Sequence, residues 1–170
     1  MKKILVLGCT GSIGTSTLNI VRSMPEDFSI CGLTAHNNEK SLNFLSNEFS
    51  CDSVLTSKDG IEAIEALIQK TNPDIVVNGI AGSAGLLPSK ITIECGKKLA
   101  LANKETVVMA WPLIKELAFN KDAEIIPVDS EHSAIFSLIN QVGRNNIKNV
   151  IITASGGPFR TLSRDELEKV

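Results

Sequence analysis

Tyrosine is absent from all 170 residues. Dehydrogenases of the short-chain type move a proton with a Tyr and Lys couple, so that class of nucleotide-dependent oxidoreductase is excluded. Cysteine is sparse. Cys9, Cys31, Cys51 and Cys95 form no C-x-x-C pair and have no histidine at a metal-finger spacing, so they read as small thiols in a reducing compartment. No apolar stretch reaches the 18 or more residues of a membrane span, and the run Ile4-Leu5-Val6-Leu7 after Met1-Lys2-Lys3 is too short for a signal-peptide core. The expected compartment is the cytoplasm, with no membrane partner. Charge of one sign is also lacking: 17 basic against 19 acidic residues leave a net charge of −2, which gives no field for nucleic acid. Hydrophobic residues at 43% and charged ones at 21% suit a globular domain, and the length allows one domain and part of another.

What is present is alternation. Apolar runs of strand length fall at Lys3 to Leu7, Phe28 to Thr34, Ser53 to Leu55, Ile75 to Val77, Leu99 to Leu101, Ile125 to Val128 and Val150 to Thr153. Between them, apolar residues at three- and four-residue spacing predict helices over Gly14 to Arg22, Lys40 to Glu48, Gly60 to Lys70, Ser89 to Cys95, Thr106 to Leu117 and Ser133 to Gln141. Such alternation predicts an α/β fold of Rossmann type, a doubly wound and mainly parallel sheet, followed by the start of an α/β catalytic domain. Motif placement puts the boundary at residue 127: a dinucleotide-binding domain over 1–127 and the opening of a second domain over 128–170. Ser163, with Glu166 three residues on, predicts a capped last helix that reaches Val170 without a stop signal, an ending that reads as cut.

The first strand runs into Gly8-Cys9-Thr10-Gly11-Ser12-Ile13-Gly14, a G-x-x-G-x-x-G spacing that opens a helix. Gly8 permits the turn, Gly11 lets backbone approach a pyrophosphate, Gly14 lets helix and strand pack closely, and free N–H groups at the helix start face the phosphates. After the second strand, Thr34-Ala35-His36-Asn37-Asn38 carries no acid before Glu39, which removes the ribose-binding acid of an NAD site. NADP is the expected cofactor, with Lys40 or Arg22 as helpers for its 2′-phosphate.

Three polar clusters follow later strands, where doubly wound sheets bind ligands. Asn103-Lys104-Glu105 offers an amide, a cation and a carboxylate; the same residues would equally cap the next helix. In Asp129-Ser130-Glu131-His132, an extended chain would turn both carboxylates to one side, and two hard oxygen donors suit Mg²⁺ or Mn²⁺; helix capping is the alternative. Ser155-Gly156-Gly157-Pro158 reads either as a phosphate nest or as an ordinary turn.

Together the glycine loop, Gly82-Ser83-Ala84-Gly85-Leu86-Leu87-Pro88, Leu101-Ala102-Asn103-Lys104-Glu105, Pro127-Val128-Asp129-Ser130-Glu131-His132 and Ala154-Ser155-Gly156-Gly157-Pro158-Phe159-Arg160 resemble the 1-deoxy-D-xylulose 5-phosphate reductoisomerase family, in the family's order and over nearly the whole chain. The resemblance implies an NADPH- and divalent-metal-dependent enzyme of isoprenoid precursor synthesis that rearranges a sugar phosphate and reduces the resulting aldehyde to 2-C-methyl-D-erythritol 4-phosphate. It implies cofactor contacts at Thr10, Gly11, Ser12, Ile13, Asn38, Asn103 and Glu105. Substrate contacts fall at Lys104, Ser130 and Ser155, with Mg²⁺ or Mn²⁺ at Asp129 and Glu131. It also implies a homodimer, and family chains more than twice this length whose third metal carboxylate and closing loop lie beyond Val170, so that this stretch alone binds cofactor but turns over poorly. His36-Asn37 departs from the Gly-Lys common in the family. A homoserine-type dehydrogenase and a stand-alone nucleotide-binding module are the competing readings.

Overall fold

A computed structural model describes residues 1–151 and 161–168. Six strands form one sheet: β1 (Lys2–Leu7), β2 (Phe28–Ala35), β3 (Asp52–Leu55), β4 (Ile75–Asn78), β5 (Lys98–Leu101) and β6 (Ile125–Pro127). Every neighbouring pair is parallel and the order is β3-β2-β1-β4-β5-β6. This is the doubly wound Rossmann arrangement. Winding reverses between β1 and β4, so the connections leave β1 and β4 in opposite directions and open a crevice at their carboxyl ends. β6 lies at an edge and ends on Pro127, a residue that has no N–H to give to a further strand.

Alternation along β1 divides the core. Ile4 and Val6 pack with Leu18 and Val21 of α1 (Ser12–Ser23) and Leu42 of α2 (Glu39–Phe49). Leu5 and Leu7 point to the opposite face, against residues that include Ile64, Leu67 and Ile68. Leu5, Val6 and Leu7 are wholly buried. A central parallel strand has no solvated face, which explains its unbroken apolar run.

The helix expected over Gly60 to Lys70 is α4 (Ala63–Thr71), and a short helix not expected from the sequence, α3 (Thr56–Asp59), precedes it. Gly60, at φ +79°, separates them, and the Asp59 carboxylate accepts from the Leu55 N–H at 2.8 Å to close the first. α5 (Leu86–Glu94) follows a 3₁₀ turn at Ser83–Gly85. α6 (Lys104–Asn120) and α7 (Ser130–Val142) begin two and three residues earlier than expected. α6 is kinked at Ala110 (φ −145°, ψ 19°), two residues before Pro112, whose ring and missing N–H break the ladder there.

The chain divides into two units, Met1–Ser133 and Ala134–Val170. The second holds the rest of α7, a 3₁₀ turn at Arg144–Asn146 and α8 (Arg164–Leu167). α8 is capped as predicted, with the N–H and hydroxyl of Ser163 both donating to Glu166 Oε2 at 2.7 Å. Of the expected seventh strand, Val150 and Ile151 belong to no strand, and the remainder lies outside the described residues. Among the described residues, no helix is long and apolar enough to cross a membrane.

Candidate functional site

The glycine loop sits at the point where the winding reverses. Gly8 has φ +77°, a conformation that only glycine adopts without strain. Its N–H and that of Cys9 both donate to the Thr34 carbonyl, at 3.1 and 2.8 Å, which fastens the loop to the end of β2. Gly14 is buried beneath the loop. A Cβ there would lie 2.6 Å from the Cys9 Cα, so helix and strand can approach this closely only through glycine. α1 begins at Ser12 with Gly11 in the cap position and no side-chain cap. Its first-turn N–H groups are therefore left for an anionic ligand, in the field of a 12-residue helix.

A groove of about 470 Å³ runs over this loop, lined by Gly8, Thr10, Gly11, Thr34, His36 and Ile80 among others. A second, of about 540 Å³, lies between α1 and α2 and shares Thr10, with Arg22, Asn38 and Lys40 along its wall. Ile13 lies against Gly79, where a Cβ would come within 3.0 Å of it. The expected cofactor residues at 10–13 thus sit at the crevice. Asn38 spends its Oδ1 on the Ser41 N–H (3.1 Å) as the cap of α2. Arg22, one of the two expected phosphate helpers, has partners of its own on this wall. It makes a bidentate pair with Glu48 (2.6 and 2.8 Å), bonds Asn19 and covers the Phe49 ring, tying α1 to α2. Lys40, the other of the two candidates, lies on the same wall.

At the far end of the sheet, Asn103 caps α6 and Lys104 opens it, while Asp129 follows β6 and caps α7. Adjacent parallel strands bring these loops together, and Lys104 Nζ lies 2.6 Å from Asp129 Oδ2. The Asp129 side chain is 7% exposed and that of Lys104 64%. The ammonium, helped by the His132 backbone N–H, holds the Asp129 carboxyl below the ordinary carboxylate range. Asp129 in turn pushes the Lys104 ammonium up, with smaller contributions from Glu131 and Glu105. His132 joins the cluster, its Nδ1 3.2 Å from Asp129 Oδ1.

The chain is not extended through 129–131. Ser130 starts α7, so the alternation that would align the two carboxylates does not apply, and Glu131 lies exposed in the first helical turn. Asp129 and Glu131 nonetheless offer ionisable hard-oxygen donors beside a cation, a donor set that suits Mg²⁺ or Mn²⁺. No group of three or more such ligands occurs among the described residues. Ser155 lies outside those residues. Sequence reasoning missed Asn78. Its side chain is wholly buried, donating from Nδ2 to Gly85 O and Ser89 Oγ at 2.8 Å each. A lone amide ending the apolar run Ile75-Val76-Val77 was its signal.

Comparison with known proteins places this geometry in a lineage. The family model for 1-deoxy-D-xylulose 5-phosphate reductoisomerase matches residues 4–60 and 55–111, and that of its C-terminal domain matches 125–170. The 1-deoxy-D-xylulose 5-phosphate reductoisomerase of Treponema denticola is 45% identical over 99% of this chain and 47% of its own length. The solved reductoisomerase of Zymomonas mobilis in complex with NADPH is 34% identical, with a TM-score of 0.82 over 99% of this chain and 49% of that one. A DOX-P reductoisomerase in complex with magnesium is 30% identical, with a TM-score of 0.80 over 100% of this chain and 50% of that one. The chain spans about half the length of these relatives. Matched by this family's model over residues 4–60 and 55–111, the chain belongs to the 1-deoxy-D-xylulose 5-phosphate reductoisomerase family.

Proposed function

We propose that the whole protein performs the NADPH- and metal-dependent conversion of 1-deoxy-D-xylulose 5-phosphate to 2-C-methyl-D-erythritol 4-phosphate. The observation that carries this is the Lys104–Asp129 pair, held by the ends of β5 and β6 in the same sheet as the dinucleotide crevice, in a chain of this family. Residues 1–127 form the cofactor half and 128–170 begin the catalytic half. Thr10, Gly11, Ser12 and Ile13 receive the pyrophosphate on the uncapped start of α1, and Asn38 lies toward the 2′-phosphate. Asn103 and Glu105 serve the nicotinamide end. Lys104 holds a fixed positive charge against substrate oxygens, and Ser130 and Ser155 bind the sugar phosphate. Asp129, kept ionised by Lys104, would hold Mg²⁺ or Mn²⁺ together with Glu131. Such an ion supplies Lewis-acid stabilisation of charge developing on substrate oxygens.

The NADPH and magnesium complexes of the two solved relatives support the cofactor assignments. We place the protein in the cytoplasm, as a homodimer in its whole form. The 170-residue chain is expected to bind NADPH, with efficient turnover assigned to the whole protein, since the chain spans about half the length of its relatives. The test is substrate-dependent loss of NADPH absorbance by the whole protein with Mg²⁺ or Mn²⁺, and Mn²⁺ titration of the wild type and Glu131→Gln. Absence of that loss refutes the activity, and unchanged Mn²⁺ affinity in the variant refutes the metal assignment.

A further inference from the structure

Strand β4 ends on Asn78, a wholly buried amide after the apolar run Ile75-Val76-Val77. An amide in that place must find partners inside the protein or stand as a costly unpaired group. Its Oδ1 accepts from the Ile80 N–H at 3.1 Å, two residues on, which makes an Asx turn where the strand stops. Its Nδ2 donates to the Gly85 carbonyl and to the Ser89 hydroxyl at 2.8 Å each, and that hydroxyl donates to the Gly85 carbonyl at 2.9 Å. The amide's orientation is fixed, because the reverse would set its oxygen against the Gly85 carbonyl and its NH₂ against the Ile80 N–H. One side chain thus holds both ends of the segment 79–85.

That segment backs the glycine loop on one side and walls the groove on the other. A Cβ built on Gly8 would lie 3.2 Å from Ile80 Cγ1 and 3.3 Å from the Gly79 carbonyl carbon, so the loop rests directly on residues 79 and 80. Gly79, Ile80, Ala81 and Ala84 line the groove of about 470 Å³ together with Gly8, Thr10 and Gly11. Between Asn78 and α5 the chain has no regular structure except the 3₁₀ turn at Ser83–Gly85, and Gly82 at φ +72° gives it a joint. Its shape therefore depends on the few bonds that anchor it, and close packing passes any shift of 79 and 80 to the glycine loop.

We infer that Asn78 is a positioning residue for the dinucleotide: its turn at Ile80 sets the groove wall against the glycine loop, and its bonds to Gly85 and Ser89 fasten that wall to the start of α5. Wholly buried, Asn78 reaches the cofactor only through the wall. This rests on the dinucleotide reading of the groove.

The experiment titrates NADPH into the whole protein as wild type, Asn78→Ala, Asn78→Ser and Val21→Ala, at a temperature where each is folded, and records thermal melting of each. Both substitutions at Asn78 lose the bonds to Gly85 and Ser89, but serine keeps an oxygen that accepts from the N–H two residues on. Val21 is a buried core residue roughly 13 Å along α1 from Ser12, so its truncation lowers stability away from the wall. Asn78→Ala should weaken NADPH binding roughly tenfold or more, Asn78→Ser about threefold or less and Val21→Ala less than about twofold, even where all three melt lower than the wild type. Wild-type affinity in Asn78→Ala overturns the inference. So does a serine variant as weak as the alanine one, or an equal loss in Val21→Ala, since affinity would then follow stability and not the turn. Amide hydrogen exchange of the wild type adds a test that needs no variant to fold: bound NADPH should slow exchange across 79–82, and unchanged exchange there overturns the inference. A wild type that binds no NADPH overturns the dinucleotide reading and this inference with it.

Discussion

Gly14 and Gly11 carry different burdens, and alanine at each separates them. At Gly14 the new methyl would stand 2.6 Å from the Cys9 Cα and 2.7 Å from its carbonyl carbon, both backbone atoms of the glycine loop. The Gly8 carbonyl oxygen would lie closer still, and ordinary contact begins near 3.4 Å, so loop and helix must part by about 1 Å. Overpacking against backbone atoms falls in the upper part of the usual range, about 2–3 kcal/mol, and improved helix propensity offsets about 1 kcal/mol, leaving a net cost of about 1–2 kcal/mol. For a domain of this size each kcal/mol lowers Tm by roughly 2–4 °C, so Gly14→Ala should melt about 2–8 °C below the wild type. At Gly11 the backbone is extended (φ −83°, ψ 176°), and a Cβ would find its nearest neighbours at 3.5 and 3.8 Å. Gly11→Ala should therefore melt within about 1–2 °C of the wild type. It should nevertheless lose roughly tenfold or more in NADPH affinity, because the methyl occupies the face that the pyrophosphate approaches. Thermal melting by circular dichroism and NADPH titration read the two effects. The reasoning fails if Gly14→Ala melts with the wild type, or if Gly11→Ala is the more destabilised of the two.

The Lys104–Asp129 pair makes stability pH-dependent in a defined direction. With the folded Asp129 carboxyl held below its unfolded value of about 3.9, its contribution is complete above that pH and is lost as pH falls through the folded value. Melting measured without divalent metal should show the gap between wild type and Asp129→Asn closing as pH drops from about 6 to about 2; a gap that widens contradicts the ion pair. Lys104 is raised, so on the alkaline side the pair should persist past the ordinary lysine range. Arg22 and Lys40 give a third comparison. Because Arg22 is committed to Glu48, Arg22→Ala should leave the ratio of NADPH to NADH affinity within about twofold, whereas Lys40→Ala should lower it by about threefold or more. The reverse pattern in a cofactor titration would return the 2′-phosphate to Arg22.

Fold class was legible because parallel strands buried on both faces leave continuous apolar runs, and each run from Ile4-Leu5-Val6-Leu7 to Ile125-Ile126 became a strand. Gly8 and Gly14 were legible because their demands, a positive φ and a missing Cβ, are written in residue type. The starts of α6 and α7 were not. Asn103, Asp129 and Ser130 belong to residue types that cap helices as readily as they bind ligands, and only the fold shows Asn103 and Asp129 capping. Nor does local spacing reveal that Lys104 meets Asp129, since that contact exists only through the pairing of β5 with β6. The partner of Arg22 was hidden for the same reason: Glu48 lies on another helix.

The order of the sheet has a consequence for how the chain is born. Of these six strands β1 is synthesised first, yet its second neighbour, β4, pairs Ile4 with Ile75. At a synthesis rate of about 5–20 residues per second, Leu5 and Leu7 wait roughly 4–14 s for the strand that completes their cover. Throughout that interval the nascent chain presents a sticky, half-dressed edge. The strand that leads into the glycine loop is thus left with an open edge while about 70 further residues are made.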